Sequence, residues 1–328
     1  LRRMLRAWPL GSQKAFFEDE LGVPLKFEAE SRKYFPKSDR ARDVRDALVN
    51  FARRRGVDIR FGTTLEGLEP VGDGRWRVRT SRGEIEADSV VLATGGLSVP
   101  ATGSDGAGLH LAEALGHTIH PLYPALAPLL ADPPIHSGLS GVSLPVRIRA
   151  KRGNGIREIH GSFLFTHRGY SGPAVLDISS TADSLRVSWG NIAQAEWEAL
   201  LTAGTGLVVN ALASKLPQRL AERLVFEAGI PADRRISDLR RTERLTLIEL
   251  LTAYPLQVSG NEGYKKAEVT GGGVALDEVE PVTLESKRAP GLYFCGEILD
   301  AYGPIGGHNF AWAWSTGRAA GLGASLKS

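Results

Sequence analysis

The chain has 328 residues, more than one hydrophobic core usually organises, so two packed units are expected. Hydrophobic residues make up 42% of the chain and charged residues 23%, a balance that excludes a disordered or fibrous protein. The 40 basic and 37 acidic residues give a net charge of only +3, so composition does not indicate a nucleic-acid-binding surface.

The sequence pattern does not favour export, disulfide bonding or membrane insertion. A single cysteine, Cys295, excludes an intrachain disulfide and a cysteine-based zinc cluster, and is typical of a reducing compartment. No stretch has the roughly 18 uninterrupted apolar residues that a membrane span needs. Arg2, Arg3 and Arg6 are not followed by the apolar region of a signal peptide. We therefore expect a cytoplasmic protein without a membrane partner.

The N-terminal part of the chain alternates between helical and strand patterns. Apolar spacing over residues 39–56, with a capping residue at the start and a glycine at the end, predicts an amphipathic helix. Alternation over 57–61 predicts a strand, and a second strand over 75–80 follows a Gly-Asp-Gly turn. The short apolar run 89–93 predicts a buried parallel strand, and a helix is predicted over 106–115. This order is typical of an α/β domain.

The middle of the chain has a different texture. Prolines, glycines and short alternating segments over residues 121–188 predict a β-rich unit, whereas residues 194–254 have helical spacing. From residue 263 the pattern returns to strand, glycine turn and strand, and residues 309–322 predict a helix rich in small side chains. We therefore predict an α/β domain that is interrupted by an insertion.

The 38 glycines exceed the usual share and concentrate in three clusters. In the first, residues 93–96 follow the predicted buried strand, where glycine lets the backbone approach a ligand at the carboxyl end of a parallel sheet. An ordinary strand-exit turn is equally consistent with this cluster. In the second, residues 267–274 contain three consecutive glycines, and a β-bulge or hairpin is the favoured interpretation.

The third glycine cluster gives the strongest indication of a ligand site. A predicted buried strand over 292–295 leads to Gly296 and to the carboxyl groups of Glu297 and Asp300. Gly306-Gly307 then begins a helix, and the free N–H groups at a helix start suit an anionic or electron-rich ligand edge. A purely structural glycine loop is the weaker alternative.

Candidate catalytic side chains are few. His167 lies ahead of a predicted helix start, where a turn histidine that bonds the backbone is at least as consistent as a catalytic role. His308, within the third glycine cluster, is a better candidate than His167 for contact with a ligand. The seven histidines show no metal-ligand spacing, so no metal is expected. Cys295 is expected to be an inert buried thiol, and the lack of a G-x-S-x-G elbow argues against a hydrolase.

Six motifs in a fixed order carry a resemblance to a known family. They are Ala-Thr-Gly-Gly-Leu-Ser-Val-Pro-Ala-Thr-Gly-Ser-Asp-Gly (93–106), Leu-Gly-His (115–117), Pro-Ala-Leu-Ala-Pro-Leu (124–129), Phe-Thr-His-Arg-Gly-Tyr-Ser-Gly-Pro-Ala (165–174), Ala-Glu-Val-Thr-Gly-Gly-Gly-Val (267–274) and Gly-Leu-Tyr-Phe-Cys-Gly-Glu-Ile-Leu-Asp (291–300). Together they resemble the YhiN/BaiN-like (HI0933-like) NAD(P)/FAD-dependent oxidoreductases, also labelled aminoacetone oxidase family FAD-binding enzymes. The resemblance covers nearly the whole chain and is weakest between about 185 and 255.

The resemblance implies a glutathione-reductase-like FAD-binding domain made of residues 1–120 and 263–328. An inserted β-barrel plus helical domain would occupy residues 121–262. The family begins with a βαβ unit that carries a G-x-G-x-x-G fingerprint, and this sequence has no such motif between a strand and a helix. We therefore expect that the chain starts after that unit. Without it, FAD should bind weakly or not at all, because the fingerprint supplies the main phosphate site.

The resemblance also implies which residues lie near FAD. They are Leu65 beside the adenine, Thr94 and Gly95 with the adjacent Gly96 near the pyrophosphate, Gly296 and Glu297 near the ribityl phosphate, and Gly306, Gly307, His308, Asn309 and Phe310 at the pyrimidine edge of the flavin. Family members often carry an aromatic residue where His308 stands, so a flavin contact there is expected to differ.

The leading hypothesis is therefore a FAD-dependent oxidoreductase that transfers hydride through flavin N5, with a small-molecule substrate and NAD(P)H as electron donor. The alternatives are an inactive fragment or a non-enzymatic flavin- or RNA-binding protein related to flavin-dependent tRNA modifiers. The RNA alternative depends on Arg53, Arg54 and Arg55 and on the arginine-rich residues 234–244, which are more typical of solvated helix faces.

Overall fold

The computed structural model describes residue 5 and residues 8–29, 31–72, 74–153, 155–180 and 184–326. The chain divides into two compact units. Unit 1 combines Leu1–Tyr123 with Val269–Ser328, and unit 2 is the continuous segment Pro124–Glu268. Within the described residues, no helix is both long and apolar enough to cross a lipid bilayer.

The helices and strands are numbered in chain order. The α-helices are α1 (Leu10–Ala15), α2 (Ala41–Arg54), α3 (Ala107–Ala114), α4 (Pro173–Leu176), α5 (Gln194–Ala203), α6 (Val208–Ala213), α7 (Gln218–Glu227), α8 (Arg241–Thr252) and α9 (His308–Ser325). The strands are β1 (Leu25–Glu28), β2 (Lys33–Pro36), β3 (Leu65–Pro70), β4 (Trp76–Thr80), β5 (Gly83–Ala87), β6 (Val90–Leu92), β7 (Ile119–Ala125), β8 (Leu129–Leu130), β9 (Ser143–Arg152), β10 (Gly155–Phe165), β11 (Gly169–Ser171), β12 (Ser184–Trp189), β13 (Tyr254–Leu256), β14 (Gly260–Asn261), β15 (Val269–Val274) and β16 (Leu292–Phe294).

The parallel strand pair β6–β16 lies at the centre of the unit 1 core. Leu92 is opposite Phe294 in the register, and both side chains are buried. The two strands run in the same direction, which confirms the parallel strand predicted over residues 89–93. A long connection joins them, as parallel pairing requires. Burial is incomplete on the other face, where Val91 is 37% exposed.

A three-stranded antiparallel sheet, β3–β4–β5, packs beside this pair. Strand β4 follows the predicted glycine turn and begins at Trp76, whose indole is buried and donates to the Pro290 carbonyl at 3.2 Å. Helix α2 confirms the predicted amphipathic helix, and its apolar Phe51 contacts Phe16 edge to face. The hydrogen bond and the ring contact tie segments that are distant in sequence into one unit.

The strand predicted over residues 57–61 is wrong. The structure has no regular element there, and Val57 and Phe61 are 53% and 63% exposed. Arg60 pairs instead with Asp58 at 2.7 Å. Alternating side chains form a stable strand only when a neighbouring strand accepts the backbone hydrogen bonds, and this segment has no such partner within the described part of unit 1.

The three consecutive glycines of the second cluster lie inside strand β15, so the hairpin interpretation is wrong and the β-bulge stays a prediction. A Cβ atom on Gly272 would lie 2.2 Å from the Pro121 carbonyl oxygen, and one on Gly273 would lie 2.6 Å from the Ile298 carbonyl oxygen. Both distances are far below van der Waals contact. Glycine is therefore required here because two neighbouring backbone segments approach β15 closely.

Unit 2 contains a seven-stranded antiparallel sheet with the strand order β13-β12-β9-β10-β11-β8-β14. The side chains on one face are buried against the helical segment, and Ile148 and Val187 of the sheet belong to the same buried cluster as Leu247 of α8. The indole of Trp189 donates to the Leu250 carbonyl at 3.1 Å and so links β12 to α8. The β-rich and helical parts of the middle segment are thus both present, in the order that the sequence predicts.

A buried histidine lies within the unit 2 core. His136 Nδ1 is 2.9 Å from the Tyr170 hydroxyl, and its Nε2 is 3.0 Å from the Tyr254 hydroxyl. Burial raises the pKa of Tyr170 to about 12, and it also raises the pKa of Tyr254. Both phenols therefore stay protonated at neutral pH. The histidine and the two tyrosines form a hydrogen-bonded cluster within the core.

Candidate functional site

The carboxyl ends of β6 and β16 meet at one edge of unit 1. The N–H of Cys295 donates to the Leu92 carbonyl at 3.1 Å, so the two glycine segments that follow begin side by side. Gly95 and Gly296 both have left-handed backbones, with φ of 71° and 74°. A Cβ atom at either position would find no neighbour closer than 3.9 Å. Gly95 is half-buried and Gly296 is buried, so Gly95 is the more accessible of the two at the strand ends where α/β proteins usually bind cofactors.

The Thr94 side chain packs against helix α3, although the residue as a whole is exposed. A Cβ atom on Gly108 would lie 2.0 Å from Thr94 Oγ1, so the hydroxyl packs against the first turn of α3. That helix begins at Gly106, and Asp105 Oδ1 accepts a hydrogen bond from Ala107 N at 3.0 Å. The helix predicted over residues 106–115 is confirmed, and the Thr94 side chain has a structural role at its start.

Thr270 joins the first and third glycine clusters. Its N–H donates to Glu297 Oε1 at 2.9 Å, and its Oγ1 accepts hydrogen bonds from Leu97 N at 2.7 Å and Ser98 N at 3.1 Å. Gly96 has no room for a side chain, since its Cβ would lie 2.4 Å from Thr270 Oγ1. Burial raises the pKa of the Glu297 carboxyl, and the hydrogen bonds from Thr270 oppose that effect. Motif spacing did not single out Thr270.

Gly296 is fixed by helix α9 through both of its backbone polar groups. Its N–H donates to Thr316 Oγ1 at 2.9 Å, and its carbonyl accepts from Trp312 Nε1 at 2.9 Å. Thr316 Oγ1 in turn donates a hydrogen bond to the Trp312 carbonyl at 2.7 Å. Because these groups are already paired and the residue is buried, the contacts with α9 fix the position of the Gly296 loop.

Helix α9 starts as the third glycine cluster predicts. Gly306 and Gly307 have φ of 139° and 87°, and Gly307 is the capping residue. Among the residues that the structure describes, no side chain is hydrogen bonded to the helix start. The Asn309 side chain instead closes the preceding loop, accepting from Gly303 N at 2.8 Å and donating to Gly303 O at 3.1 Å. The first amides of α9 can therefore serve an external acceptor.

A cavity of about 340 Å³ lies beside this helix start. Its lining includes Trp8, Gln13, Tyr302, His308 and Trp312. His308 is the first residue of α9 and is exposed, so it is available to a ligand at this place. Phe310 is 68% exposed and stacks on Trp314, with ring centroids 6.1 Å apart.

His167 lies in unit 2, in the exposed turn between β10 and β11, whereas His308 lies in unit 1. Thr166 Oγ1 accepts from Gly169 N at 3.0 Å and shapes the turn around His167. The helix predicted after it is confirmed as α4, with Pro173 in its first turn. Leu65, predicted beside the adenine, is the first residue of β3.

Two further histidine contacts in unit 1 were not predicted as sites. His120 Nδ1 is hydrogen bonded to Asp300 Oδ2, which raises the pKa of His120. His117 is buried between Glu278 and Ser286, and burial lowers its pKa. His120 and Asp300 are 180 residues apart in the sequence, and His117 and Glu278 are 161 residues apart. Motifs of local spacing therefore do not reveal either pair.

Cys295 is buried in the strand exit, as expected for an inert thiol. Burial raises its pKa to about 11, so the thiol stays protonated at neutral pH. A protonated thiol is a poor nucleophile. This side chain therefore belongs to the core of unit 1.

Comparison with known proteins gives one consistent result. A family model for the HI0933-like protein Rossmann domain matches residues 1–323. The chain is 36% identical to a ribosomal RNA dihydrouridine synthase of Escherichia coli, over 85% of this chain and 70% of that protein. It is 34% identical to the Haemophilus influenzae protein of the same name, over 86% and 72%. A 3-dehydro-bile acid delta(4,6)-reductase of Clostridium scindens is 32% identical, over 99% and 82%.

Proposed function

Because the chain belongs to the HI0933-like Rossmann-domain family, we propose that it is a FAD-dependent oxidoreductase that reduces a carbon–carbon double bond conjugated to a carbonyl group. The family match supports a Rossmann-type α/β domain in this chain. Oxidoreductase activity and FAD binding are consistent with this family. The relatives act on different molecules, so the reaction class is what we transfer to this chain.

The names of the relatives point to one kind of bond. Dihydrouridine is uridine with the ring double bond next to a carbonyl saturated. A 3-dehydro-bile acid with delta(4,6) unsaturation has double bonds conjugated to its 3-keto group. Either reduction adds a hydride to one carbon and a proton to its neighbour, and both electrons arrive with the hydride. An activated alkene is therefore the proposed substrate class.

FAD, when bound, supplies the hydride through flavin N5, and NAD(P)H is the proposed donor that renews it. The observation that carries the proposal is the uncapped start of α9 after Gly306 and Gly307, on the same chain unit as Gly95, where a Cβ atom would have space. The amides and the positive end of the α9 dipole would stabilise negative charge at the flavin edge. The residues present thus fit a flavin.

The individual contacts are proposals that follow from the resemblance. The proposed FAD-binding residues are Leu65, Thr94, Gly95, Gly96, Gly296, Glu297, Gly306, Gly307, His308, Asn309 and Phe310. Thr94 would contribute through its backbone, since its hydroxyl packs on α3. His308 is the first candidate proton donor because it is exposed and lines the cavity, and His167 is the second.

The insertion completes the proposal. We assign FAD binding to residues 1–120 and 263–328 and substrate binding to the inserted domain at residues 121–262, for which we propose a β-barrel plus helical architecture. The antiparallel sheet and the helices α5 to α8 of unit 2 support this assignment. A cytoplasmic location and a small-molecule substrate remain parts of the proposal.

The test uses the full-length protein. We expect a flavin chromophore that stays with the protein through gel filtration, and NAD(P)H oxidation that depends on an added enone or uridine-containing substrate. The saturated product would be identified by mass spectrometry as a gain of two hydrogens. A protein that neither retains nor binds FAD would overturn the proposal, as would a flavoprotein that is reduced by NAD(P)H yet leaves every activated alkene unchanged.

A further inference from the structure

A histidine–carboxylate pair in unit 1 joins strand β7 to the loop that follows β16. His120 Nδ1 is 2.5 Å from Asp300 Oδ2, and the two side chains are 49% and 33% exposed. A carboxylate can only accept, so Nδ1 carries the proton of this hydrogen bond. Within the described residues, Nε2 of the same ring has no hydrogen-bond partner. The imidazole is therefore anchored at one nitrogen and accessible at the other.

The backbone of unit 1 brings these two residues together across strand β15. A Cβ atom on Gly272 would lie 2.8 Å from the His120 carbonyl oxygen, and one on Gly273 would lie 3.1 Å from the Asp300 amide nitrogen. Strand β15 thus runs between the two residues, and its glycines place no side chain between them. Exposed ion pairs contribute little to stability, so stability alone does not account for this contact.

Four histidines pair with a carboxylate within the described part of the chain, and His120 differs from the other three. The side chains of His117 and His136 are 0% and 4% exposed, which closes them to a substrate. His160 is exposed but lies in unit 2. His308, beside the cavity, has no carboxylate partner within the same described residues. Only the first of these pairs is both accessible and part of unit 1, among the residues that the structure describes.

Asp300 lies on the chain between the two loop segments of unit 1 that are proposed to contact FAD. The next three residues, 301–303, line the cavity beside the start of α9. Consecutive Cα atoms are about 3.8 Å apart, so Asp300 lies at the rim of that cavity. The ring of Tyr302 in this lining contacts that of Tyr123 edge to face, with centroids 6.4 Å apart. Strand β7, which carries both Tyr123 and His120, therefore neighbours the cavity wall.

We propose that His120, held in place by Asp300, is the acid that protonates the activated alkene during its reduction. This assignment rests on the proposed function. The alkene carbon that is β to the carbonyl gains a hydride, with both electrons, from the reduced flavin. The protonated imidazole gives its Nε2 proton to the α carbon, and the neutral ring then regains a proton from water. One hydride and one proton are added in each turnover, and the carboxylate of Asp300 stays ionised throughout.

The charges around His120 favour its protonated form. The hydrogen bond to Asp300 raises the pKa of His120 above its ordinary value of 6.5, although partial desolvation opposes this effect. The carboxylates of Asp277 and Glu278 act in the same direction as Asp300. Glu278 also pairs with Arg288, so part of its charge is balanced by that cation. A proton is therefore available on the ring near neutral pH, where a general acid with such a pKa is effective.

The test separates the two half-reactions of the full-length flavoprotein by stopped-flow absorbance. In His120→Gln we expect the reoxidation of reduced flavin by a cyclic enone to slow about 100-fold or more, since general acids contribute about 10²–10⁴-fold. Reduction of the flavin by NAD(P)H needs no proton from this ring, so its rate reports on the integrity of the cofactor site. The matched control is His160→Gln, which removes another exposed, carboxylate-paired histidine and should reduce the enone as the wild type does.

A second variant, Asp300→Asn, keeps the imidazole and removes its charged partner. Because Asp300 raises the pKa of His120, the rate of enone reduction should begin to fall at a lower pH in this variant than in the wild type. NMR titration of the His120 ring in the full-length protein measures the same pKa without turnover. That pKa should lie above 6.5 in the wild type and fall in Asp300→Asn.

A wild-type rate of enone reduction in His120→Gln would overturn this assignment and leave the proposed function in place. Equal slowing of both half-reactions would also overturn it, because the substitution would then act on the cofactor site and not on proton delivery. An unchanged pH profile in Asp300→Asn would contradict the role of the carboxylate. A wild-type flavoprotein that reduces no activated alkene would overturn the proposed function and this assignment together.

Discussion

The backbone N–H of Thr270 donates a hydrogen bond of 2.9 Å to Oε1 of Glu297, so strand β15 fixes the carboxyl group that follows strand β16. The hydroxyl of the same threonine accepts hydrogen bonds from the amides of Leu97 and Ser98, which follow β6. One residue thus holds together the loops at the ends of two parallel strands. The shape of the proposed cofactor site depends on this link.

Removal of that hydroxyl gives the first prediction. Thr270→Val leaves the amides of Leu97 and Ser98 without their acceptor, and unpaired buried amides cost about 1–3 kcal/mol. Urea unfolding should show a loss of this size. The control is Thr102→Val, whose exposed hydroxyl bonds the Val99 carbonyl and can be replaced by water. A loss no larger than that of the control would show that Thr270 does not hold the loops.

The second prediction concerns pH. Burial raises the pKa of Glu297 above its ordinary value of 4.5, so the folded protein binds this proton more tightly than the unfolded chain does. The stabilising contribution of the protonated carboxyl is therefore present at low pH and is lost as pH rises through its unfolded pKa and above. Glu297→Gln cannot ionise, and its amide oxygen still accepts from Thr270.

We expect Glu297→Gln to gain stability relative to the wild type between about pH 4 and pH 7. The measurement is the free energy of unfolding of both proteins at several pH values, without added cofactor. All other titrating groups are common to the two proteins and cancel in the difference. A difference that stays constant with pH, or that falls as pH rises, would contradict the raised pKa.

The third prediction tests the close backbone contact at β15. In Gly272→Ala the added methyl group would lie 2.2 Å from the Pro121 carbonyl oxygen, and the backbone already has φ of 81°. The control is Gly116→Ala, with φ of 88° and no atom within 4 Å of the added methyl group. The shared left-handed backbone costs about 1–2 kcal/mol in both.

The extra steric clash should make Gly272→Ala less stable than Gly116→Ala by about 2 kcal/mol or more. Thermal unfolding of the two variants beside the wild type measures this difference. If Gly272→Ala does not fold while Gly116→Ala does, the direction of the prediction holds. Equal unfolding temperatures would mean that β15 and β7 can separate without cost.

Local signals in the sequence account for much of the fold. Helix α2 follows from its apolar spacing, and β4 from the glycine turn before it. The parallel strand β6 was expected because a short apolar run between loops suits such a strand, but its pairing with β16 was not predicted. The failed strand at residues 57–61 has the same alternation as a real one, but it lacks a partner, and pairing is not encoded in a short window.

The candidate site was less accessible to such reasoning. Glycine clusters marked the ends of β6 and β16, because a left-handed backbone at Gly95 and Gly296 restricts the residue type. The contact of Thr270 with Glu297, and that of His120 with Asp300, depend on how distant segments pack. Threonine and histidine occur in many environments, so their identity alone gave no reason to select them.

The last prediction places a methyl group on the surface proposed for FAD. In Gly95→Ala the new carbon meets only Ser104 Oγ at 3.9 Å, so the folded chain has room for it. The left-handed backbone costs the variant about as much as it costs Gly116→Ala, and the two should therefore unfold alike. The two variants should differ in their affinity for FAD. If the diphosphate lies against Gly95, the methyl group obstructs it and the affinity of the full-length protein should fall about tenfold or more, whereas Gly116→Ala should keep the wild-type affinity. Flavin fluorescence titration of the two variants measures this. Equal affinities would remove Gly95 from the proposed site while leaving the uncapped start of α9 as the remaining argument for a flavin.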